Sequence, residues 1–457
     1  MNSIIVLSVT GIVVLFSGLF DLRKWSLPLG IIGSVIALWL GISEWSTNIS
    51  YFNNMLLFDN MALAFASLQI LVAIAVLLLL FLYKHEFEHF ADIQTLLIFS
   101  LVGGILMVSY SNLVMLFLGI EILSIPLYIL VASKRYDASS AEAGLKYFIL
   151  GAFSSAVLVM GIAFVYGTTN TFDIGVMKSI FSSNADVSSL FKLGVLLILV
   201  AFGFKIAAVP FHFWAPDVYQ GAPAFATAFM ATVVKIAGFG ALLRFTSIFP
   251  FEVSHQWAGV LIGLIIATLL LSNITALWQT DFKRLIAYSG VSNSGFLLLA
   301  ILTYSPLSNA IVLYYVAAYS LATITVLSIF IVLKEKTGKA DFSIFKGLFI
   351  KKPLMAIALT VSLLSLSGIP PFMGFFGKYY LFFNTINKGM LGLSVFAILA
   401  AVVAVYYYLR IASQAYTLDN ENAETIEITT SYKIFLFISI ALSIVLGLFP
   451  SVIYRLI

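Results

Sequence analysis

Long apolar segments separated by short polar connections make up almost the whole chain of 457 residues. A membrane-spanning helix needs about 20 mostly apolar residues, so this pattern predicts an all-α polytopic membrane protein with about fourteen transmembrane helices. The connections are too short to form a soluble domain. The predicted spans, numbered in chain order, cover approximately 2–20, 27–43, 61–83, 93–111, 113–132, 141–166, 191–219, 224–248, 257–278, 285–304, 307–333, 353–386, 391–416 and 432–454.

Two of these spans contain prolines that a continuous helix does not accommodate. Pro210 interrupts span 7, and Pro370 with Pro371 interrupts span 12, which is too long for one straight helix. An interior proline removes a backbone hydrogen bond and clashes with the preceding turn. Irregular backbone at membrane depth is tolerated only against protein or beside a water-filled cavity. We therefore predict breaks near 206–212 and 368–374, the first with freed carbonyl groups beside a lysine.

The positions of the two broken spans indicate an internal repeat. Span 12 follows span 7 after an interval of five spans. Because this interval is odd, the corresponding helices of the two repeats run in opposite directions across the membrane. Paired proline-interrupted spans in an inverted repeat are typical of many transporters, which bind their substrates and ions at such breaks.

Composition supports the membrane assignment, because 62% of the residues are hydrophobic and only 10% are charged. The small net charge of +4 and the apolar content argue against nucleic-acid binding. The N-terminal segment has no basic region before its apolar run, so a retained first span is predicted rather than a cleaved signal peptide. Connections after odd-numbered spans hold fourteen Lys and Arg residues, whereas connections after even-numbered spans, with the C-terminal tail, hold five. This bias places both termini outside the cytoplasm.

The chain contains no cysteine, which excludes disulfides, thiolate metal sites and cysteine-ligated iron–sulfur clusters. Two of the four histidines, His85 and His89, have the spacing of metal ligands on a helix, but they lie in the charged connection KHEFEH. A solvated surface is the favoured interpretation there, and no metal site is predicted. The sequence contains no nucleophile–base arrangement and no nucleotide-binding motif, so no catalytic residue is predicted either.

Ionisable residues inside the apolar spans carry the candidate chemistry. Lys205 lies about 21 Å into span 7 and Lys235 is central in span 8, both beyond the reach of water by snorkelling. A buried lysine costs about 2.5–3.5 kcal/mol, and Glu121 can neutralise only one. Some of the lysines must therefore be neutral or lie beside hydrated cavities. Buried lysines of this kind can exchange protons, and a line of them forms a proton path. The predicted path runs through Glu121, Lys146, Lys205, His212, Lys235 and Lys378.

Three members of this set also have a structural interpretation. A protonated Glu121 could bond to a neighbouring helix, Lys146 is near enough to the end of its span to snorkel, and His212 could be a packing residue. The functional interpretation predicts that Glu121 and Lys146 approach each other between adjacent spans 5 and 6. It also predicts that Lys205 and Lys235 lie on facing helices with His212 nearby.

Four runs in the chain resemble segments of a known protein family: LKYFILGAFSSAVLVMGIAFVYG, KIAAVPFHFWAPDVYQGAP, TALWQTDFKRLIAYSGVSNSGF and LSLSGIPPFMGFFGKYYLF. Together they resemble the antiporter-like subunits of respiratory complex I, the proton-pumping NADH–quinone oxidoreductase, over residues 90–390. The resemblance implies two inverted five-helix repeats with broken helices 7 and 12. Lysine rather than glutamate in GFFGKYYLF favours the subunit N branch of the family. The implied proton path runs through Glu121, Lys146, Lys205, Lys235 and Lys378.

The resemblance also implies an organisation and a setting. The chain divides into helices 1–3 at 1–90, a first repeat at 91–250, a second repeat at 251–418 and a last helix at 419–457. The implied location is a bacterial-type inner membrane, with other membrane-arm subunits, including other antiporter-like subunits, and the lipid bilayer as partners. No cofactor is expected on this chain, because FMN, iron–sulfur clusters and quinone belong to other subunits.

One residue departs from the family pattern. The family often has histidine where this chain has Asn293, and the asparagine amide does not titrate. A relay through span 10 would therefore run through water with Tyr288, Ser289 or Ser292. Two other functions stay open: a subunit of a multisubunit Na⁺/H⁺ antiporter, which shares the broken-helix plan, and a scaffold that does not pump. The runs LKYFILGAFSSA and FFGKYYLF favour the complex I function.

Overall fold

A computed structural model describes residues 1–20, 22–81, 89–134, 136–182, 188–248, 251–417 and 427–454. These residues are mostly helical, with a two-stranded antiparallel hairpin of β1 (Ile49–Tyr51) and β2 (Leu56–Phe58) and a 3₁₀ turn at Phe342–Phe345. The helices are α1 (Asn2–Leu19), α2 (Arg23–Ser43), α3 (Asn60–Leu80), α4 (Phe90–Ser109), α5 (Leu113–Val131), α6 (Ala138–Thr169), α7 (Ile174–Ser182), α8 (Ser189–Lys205), α9 (Trp214–Gly221), α10 (Ala224–Ala231), α11 (Val233–Thr246), α12 (Phe251–Leu277), α13 (Phe282–Leu302), α14 (Ser308–Thr337), α15 (Leu348–Lys351), α16 (Pro353–Ser367), α17 (Met373–Asn387), α18 (Leu391–Gln414), α19 (Thr430–Leu448) and α20 (Ser451–Tyr454).

The predicted membrane class is confirmed. In the described part of the chain, twelve helical segments are long and apolar enough to cross a membrane, with α10 and α11 counted as one. Predicted spans 7 and 12 correspond to the helix pairs α8–α9 and α16–α17, and both are interrupted where the prolines indicate. With these two pairs, the structure has the fourteen spans that the hydropathy pattern predicts.

The β-hairpin is outside the all-α prediction. Asn53 and Asn54 form its turn with φ angles of 52° and 66°, a conformation that asparagine tolerates better than most residues. Each strand has only three residues. Strands this short do not contain enough alternation of apolar and polar positions to be recognised, which explains why the sequence does not reveal them.

A third interruption, within predicted span 8, also has no signal in the sequence. Thr232 separates α10 from α11, with φ −119° and ψ −72°. Its hydroxyl donates a hydrogen bond to the carbonyl of Ala228 at 2.6 Å. Threonine bonds of this kind often bend helices, and no proline marks the position. The irregularity places Lys235 in the first turn of α11.

The chain forms two compact units. The first unit comprises residues 1–261 with 304–309, and the second comprises 262–303 with 310–456. The first unit contains α1 to α11, and the second contains α13, α16 to α19 and most of α12 and α14. The four-segment division of the sequence stays a prediction.

Glycines allow close helix crossings in the first unit. At the crossing of α6 and α8, a β-carbon on Gly161 would lie 2.8 Å from the carbonyl oxygen of Gly194. A β-carbon on Gly194 would in turn lie 2.9 Å from the carbonyl oxygen of Gly161. Small residues at such crossings let helix backbones approach within a membrane. This crossing sets the position of α8, which ends at Lys205.

The break between α16 and α17 depends on Gly368. Its φ of +84° lies in the left-handed region that favours glycine, and its N–H and that of Ile369 bond the carbonyl of Leu364 at 3.1 and 3.0 Å. A β-carbon here would also lie 2.8 Å from Cδ of Lys378. Gly368 therefore ends the half-helix and leaves room for that lysine.

The α6–α8 crossing can be tested with two glycines of one helix. Gly161→Leu should lower the free energy of unfolding by about 3 kcal/mol, because the new side chain overlaps backbone atoms of α8. Gly167→Leu is the matched control, because a β-carbon at Gly167 meets nothing within 4 Å. Thermal unfolding of the purified protein in detergent measures both. Equal unfolding temperatures for the two variants would contradict the close crossing.

Candidate functional site

In the first unit, α5 holds a carboxylate and a hydroxyl one turn apart, facing α6 and α8. Glu121 accepts a hydrogen bond from the Ser155 hydroxyl of α6. Lys205, the last residue of α8 and only 3% exposed, donates from Nζ to Oγ of Ser124 at 2.7 Å. The Ser124 hydroxyl donates to the carbonyl of Ile120 at 2.5 Å, so its oxygen is available to accept from the ammonium. Residues three apart share one face of a helix, so the carboxylate of Glu121 and the ammonium of Lys205 belong to one polar site.

The backbone at the first break does not hold the lysine. The carbonyls of residues 202, 203 and 204 accept hydrogen bonds from the N–H groups of residues 206, 208 and 207 at 2.9, 2.8 and 3.1 Å. The indole of Trp214 also donates to the carbonyl of Phe204 at 3.0 Å. The irregular chain thus satisfies these carbonyls itself. These carbonyls therefore lie beside Lys205 but bond the chain itself, and the ammonium donates to Ser124 instead.

The predicted pairing of Glu121 with Lys146 is also wrong. The ammonium of Lys146 lies 2.7 Å from the carboxylates of both Asp217 and Glu142, and its side chain is 41% exposed. Ser155, the partner of Glu121, follows Lys146 by nine residues on α6, which is about 13 Å along the axis. The two charges therefore lie at different depths. Asp217, which the sequence analysis does not place in the path, is the partner that α9 provides.

Lys235 lies close to the first break. It is 3% exposed, and Gly238, one turn later on α11, packs against Ile206, the residue after Lys205. His212 lies in the non-helical connection before α9, is 4% exposed, and its ring interacts with the backbone of Pro210. The end of α8 and the start of α11 are therefore neighbours.

In the second unit, Lys378 bonds the end of a broken helix. Its Nζ donates to the carbonyls of Leu366 and Ser367 at 2.9 and 3.0 Å, and it lies 4.7 Å from the ring centroid of Phe296. The side chain is buried. Lys378 is on α17 and reaches across the break to its two acceptors on α16. The last carbonyls of a helix and an aromatic face both attract a cation. The ammonium–carbonyl arrangement expected at the first break thus occurs at the second.

The candidate relay of span 10 is partly assembled in the same unit. Asn293 and Ser289 are buried on α13 and share hydrogen bonds with Tyr315 and Tyr408. Tyr288 is only partly buried. The sequence gives no signal for the two partner tyrosines, because they come from α14 and α18, which are remote from α13 in sequence.

The sequence also gives no signal for a half-buried ion pair at the far end of α11. Arg244, near the end of predicted span 8, is 4% exposed and donates to the carboxylate of Asp59 at 2.6 Å. Its Nε donates to the carbonyl of Val108 at 2.9 Å. Asp59 also caps α3 by accepting from the N–H of Ala62 at 2.8 Å. The pair ties α3, α4 and α11 together.

In the described part of the chain, no group of three or more His, Cys, Asp or Glu side chains is placed to hold a metal ion. His89 lies 3.3 Å from the carboxylate of Asp92. His85 lies outside the described residues.

Comparison with known proteins agrees with this architecture. Residues 110–404 match the family model for the transmembrane part of NADH:quinone oxidoreductase and Mrp antiporter proteins. NADH-quinone oxidoreductase subunit N of Cytophaga hutchinsonii is 40% identical, and the alignment covers 100% of this chain and 99% of the relative. The chain belongs to the NADH-quinone oxidoreductase subunit N family.

Solved structures are consistent with that membership. A chain of respiratory complex I from Thermus thermophilus is 29% identical with a TM-score of 0.85, covering 99% of this chain and 98% of that one. A chain of the Mrp complex from a Dietzia species is 18% identical with a TM-score of 0.83, covering 100% and 95%. This second likeness concerns the fold alone. The resemblance drawn from the four sequence runs, including the preference for the subunit N branch, is confirmed.

The Arg244–Asp59 pair can be tested through stability. Asp59→Asn keeps an oxygen that can cap α3 but leaves the guanidinium without its carboxylate, so the free energy of unfolding should fall by up to about 3 kcal/mol. Asp59→Asn with Arg244→Met removes both charges and should recover part of that loss. Unfolding of the purified protein in detergent provides the measurement. A double variant no more stable than Asp59→Asn alone would argue against the pairing.

Proposed function

We propose that this chain is a proton-translocating membrane-arm subunit of a proton-pumping NADH–quinone oxidoreductase. The observation that carries the proposal is the burial of lysine ammonium groups beside interrupted helices, in a chain of the subunit N family. The chain contributes proton transfer to the enzyme complex and contains no redox centre. Quinone reduction elsewhere in the complex supplies the free energy.

The proton path in the first unit uses Glu121, Lys205, Lys235 and His212. The hydroxyl of Ser124 supports the ammonium of Lys205 at 2.7 Å, and a neutral hydroxyl solvates a charge without neutralising it. Burial opposes the charged form, whereas the nearby carboxylate of Glu121 supports it. Opposing effects of this kind let a modest change in local field move a proton. Lys146, paired with Asp217 at 2.7 Å and partly exposed, suits the entrance of such a path.

In the second unit, the path uses Lys378. Two helix carbonyls and an aromatic face hold its ammonium, and burial again opposes the charge. Release of the proton leaves a neutral amine that no longer attracts these groups as strongly. Ser289, Asn293 and Tyr288 of α13 are the candidate relay beside it.

The setting of the chain follows from the same proposal. The location is a bacterial-type inner membrane with both termini on the periplasmic side, as the basic connections indicate. The partners are other membrane-arm subunits, including other antiporter-like subunits, and the cofactors FMN, iron–sulfur clusters and quinone are held by other subunits. The chain follows the division 1–90, 91–250, 251–418 and 419–457, with the two middle segments as inverted repeats.

Isolation of the assembly tests this setting. The protein should co-purify with flavin- and iron–sulfur-containing subunits and with NADH–quinone reductase activity. A complex that instead exchanges Na⁺ for H⁺ and contains no flavin would support the multisubunit antiporter function. Full pumping by a complex whose path lysines are all replaced would support the scaffold function.

Replacement of the Glu121 carboxylate tests its role in the proton path. Glu121→Gln keeps the size and the hydrogen-bonding capacity toward Ser155 but removes the charge near Lys205. Assembly should be preserved, and proton pumping should fall about a hundredfold or more, within the range of a positioned proton-transfer group. Proton uptake into reconstituted vesicles during NADH oxidation measures the effect. Normal pumping by this variant would remove Glu121 from the path.

Replacement of Lys205 separates a proton carrier from a fixed charge. Lys205→Ala removes the charge, and Lys205→Arg keeps it but prevents deprotonation, because arginine stays protonated in proteins. Both variants should therefore be nearly equally defective in NADH-driven pumping and in quinone reductase turnover.

The matched control is Lys192→Ala, which removes a partly exposed lysine from the start of the same helix. It should pump normally, and the amount of assembled complex is measured for every variant. Full activity of Lys205→Arg would mean that a static positive charge suffices, and the carrier role would have to be abandoned.

A further inference from the structure

Four helices of the second unit place seven polar side chains in a buried cluster. Each of the seven is at most 2% exposed. We name it the tyrosine–asparagine cluster; its members are Asn273 of α12, Ser289, Ser292 and Asn293 of α13, Tyr315 of α14, and Tyr407 and Tyr408 of α18. Buried polar groups are costly unless they are hydrogen-bonded, so a cluster of this size requires an explanation beyond packing.

The central bonds of the cluster have a defined direction. The amide nitrogen of Asn293 donates to the backbone carbonyl of Ser289 at 2.8 Å, and a carbonyl only accepts, which fixes the amide orientation. The same nitrogen donates to the hydroxyl oxygen of Tyr408 at 3.4 Å, while Tyr315 donates to the amide oxygen at 2.5 Å. The Tyr408 oxygen thus accepts from the amide, and the hydroxyls of Tyr408 and Ser289 lie 2.5 Å apart.

A second pair of hydroxyls, those of Ser292 and Tyr407, extends the cluster. Ser292 and Tyr407 both donate to the amide oxygen of Asn273 at 3.2 Å. The rings of Tyr407 and Tyr408 have centroids 4.6 Å apart. The cluster therefore offers neighbouring hydroxyls, which can both accept and donate a proton, fixed by two amides, which cannot titrate.

The cluster also adjoins Lys378. Tyr315 packs so closely on Gly377 that no side chain fits there, and Gly377 precedes Lys378 on α17. On α13, Phe296, which faces the ammonium of Lys378, follows Asn293 by three residues, about one helical turn. Ser289 lies about one turn to the other side, toward the start of α13. The hydroxyl pair thus lies between the level of Lys378 and the start of α13.

We propose that the hydroxyls of Tyr408 and Ser289 form a proton relay to Lys378, with Asn293 as the positioning residue. This inference rests on the proposed proton-pumping function; it adds the hydroxyl of Tyr408 to the path and gives Ser289 and Asn293 distinct roles. It gives α13 a route for protons without an ionisable side chain. All seven side chains are neutral before and after each transfer, so no charge is buried permanently.

The transfer is balanced without any redox step. An incoming proton forms an O–H bond at one hydroxyl oxygen, and that hydroxyl passes its own proton to the other oxygen. The second hydroxyl releases its original proton to water on the way to the neutral amine of Lys378. One proton enters and one leaves, and rotation of the two hydroxyls restores the starting arrangement.

Removal of one oxygen atom provides the test. Tyr408→Phe should preserve assembly and reduce NADH-driven pumping in reconstituted vesicles about tenfold, because the relay loses its second hydroxyl. Tyr432→Phe is the matched control: Tyr432 is buried in the same unit, and its hydroxyl lies 3.1 Å from that of Ser328, outside the cluster. The control should pump normally. Ser289→Ala tests the other hydroxyl with a smaller change in packing.

Rescue separates relay from packing. Asn293→His in the Tyr408→Phe background supplies an ionisable group on α13, so pumping should recover most of the lost rate. Normal pumping by both Tyr408→Phe and Ser289→Ala would overturn the relay. A defect of Tyr408→Phe that Asn293→His does not relieve would also overturn it, since the tyrosine would then serve packing.

The Lys205→Ala variant, measured in the same membranes, distinguishes failure of the relay from failure of the proposed function. Defective pumping by Lys205→Ala with normal pumping by Tyr408→Phe would refute only the relay. Normal pumping by Lys205→Ala would refute the pumping role itself.

Discussion

Burial of a lysine ammonium at membrane depth is the constraint on which the rest of the structure depends. Insertion of a charged lysine at the centre of a membrane helix costs about 2.5–3.5 kcal/mol on insertion scales, which give the lowest values. Polar atoms must therefore lie next to the ammonium. A continuous helix provides none, because its backbone groups bond one another. Both Lys205 and Lys378 lie where a helix is interrupted. The interruption itself supplies backbone carbonyls to Lys378, whereas Lys205 bonds a serine hydroxyl of a neighbouring helix. The prolines, the glycine at the second break and the close helix crossings serve this requirement.

The two breaks meet the requirement in different ways. At the first, the irregular chain satisfies its own carbonyls, and Lys205 bonds a serine hydroxyl from α5 at 2.7 Å. At the second, Gly368 ends α16 in the left-handed conformation, and Lys378 reaches back to the last carbonyls at 2.9 and 3.0 Å. A hydroxyl can rotate, whereas helix carbonyls are fixed. The first arrangement therefore adapts to a change in protonation more readily than the second.

The charged side chains within the helices have different roles. The pair of buried Arg244 and half-buried Asp59 holds three helices together with a charge that arginine cannot release. Lys205 and Lys378, in contrast, donate to a neutral hydroxyl and to neutral carbonyls, so release of a proton breaks no direct hydrogen bond to a carboxylate. Lys146 differs from both, because two carboxylates flank it in a partly exposed position. A neutral hydrogen-bond partner is compatible with both charge states of a lysine inside a membrane.

The sequence alone determined the class, the number of spans and the two proline breaks, because apolar length and missing backbone donors are local properties. It also selected Glu121, Lys205, Lys235 and Lys378 as exceptional, since an ionisable residue within an apolar run is visible without a fold. Only the tertiary structure decided their partners. Glu121 meets Ser155 rather than Lys146, and Tyr408 meets Asn293, because helix rotation and depth bring together residues remote in sequence. The bend at Thr232 and the short hairpin likewise depend on contacts that no hydropathy pattern records.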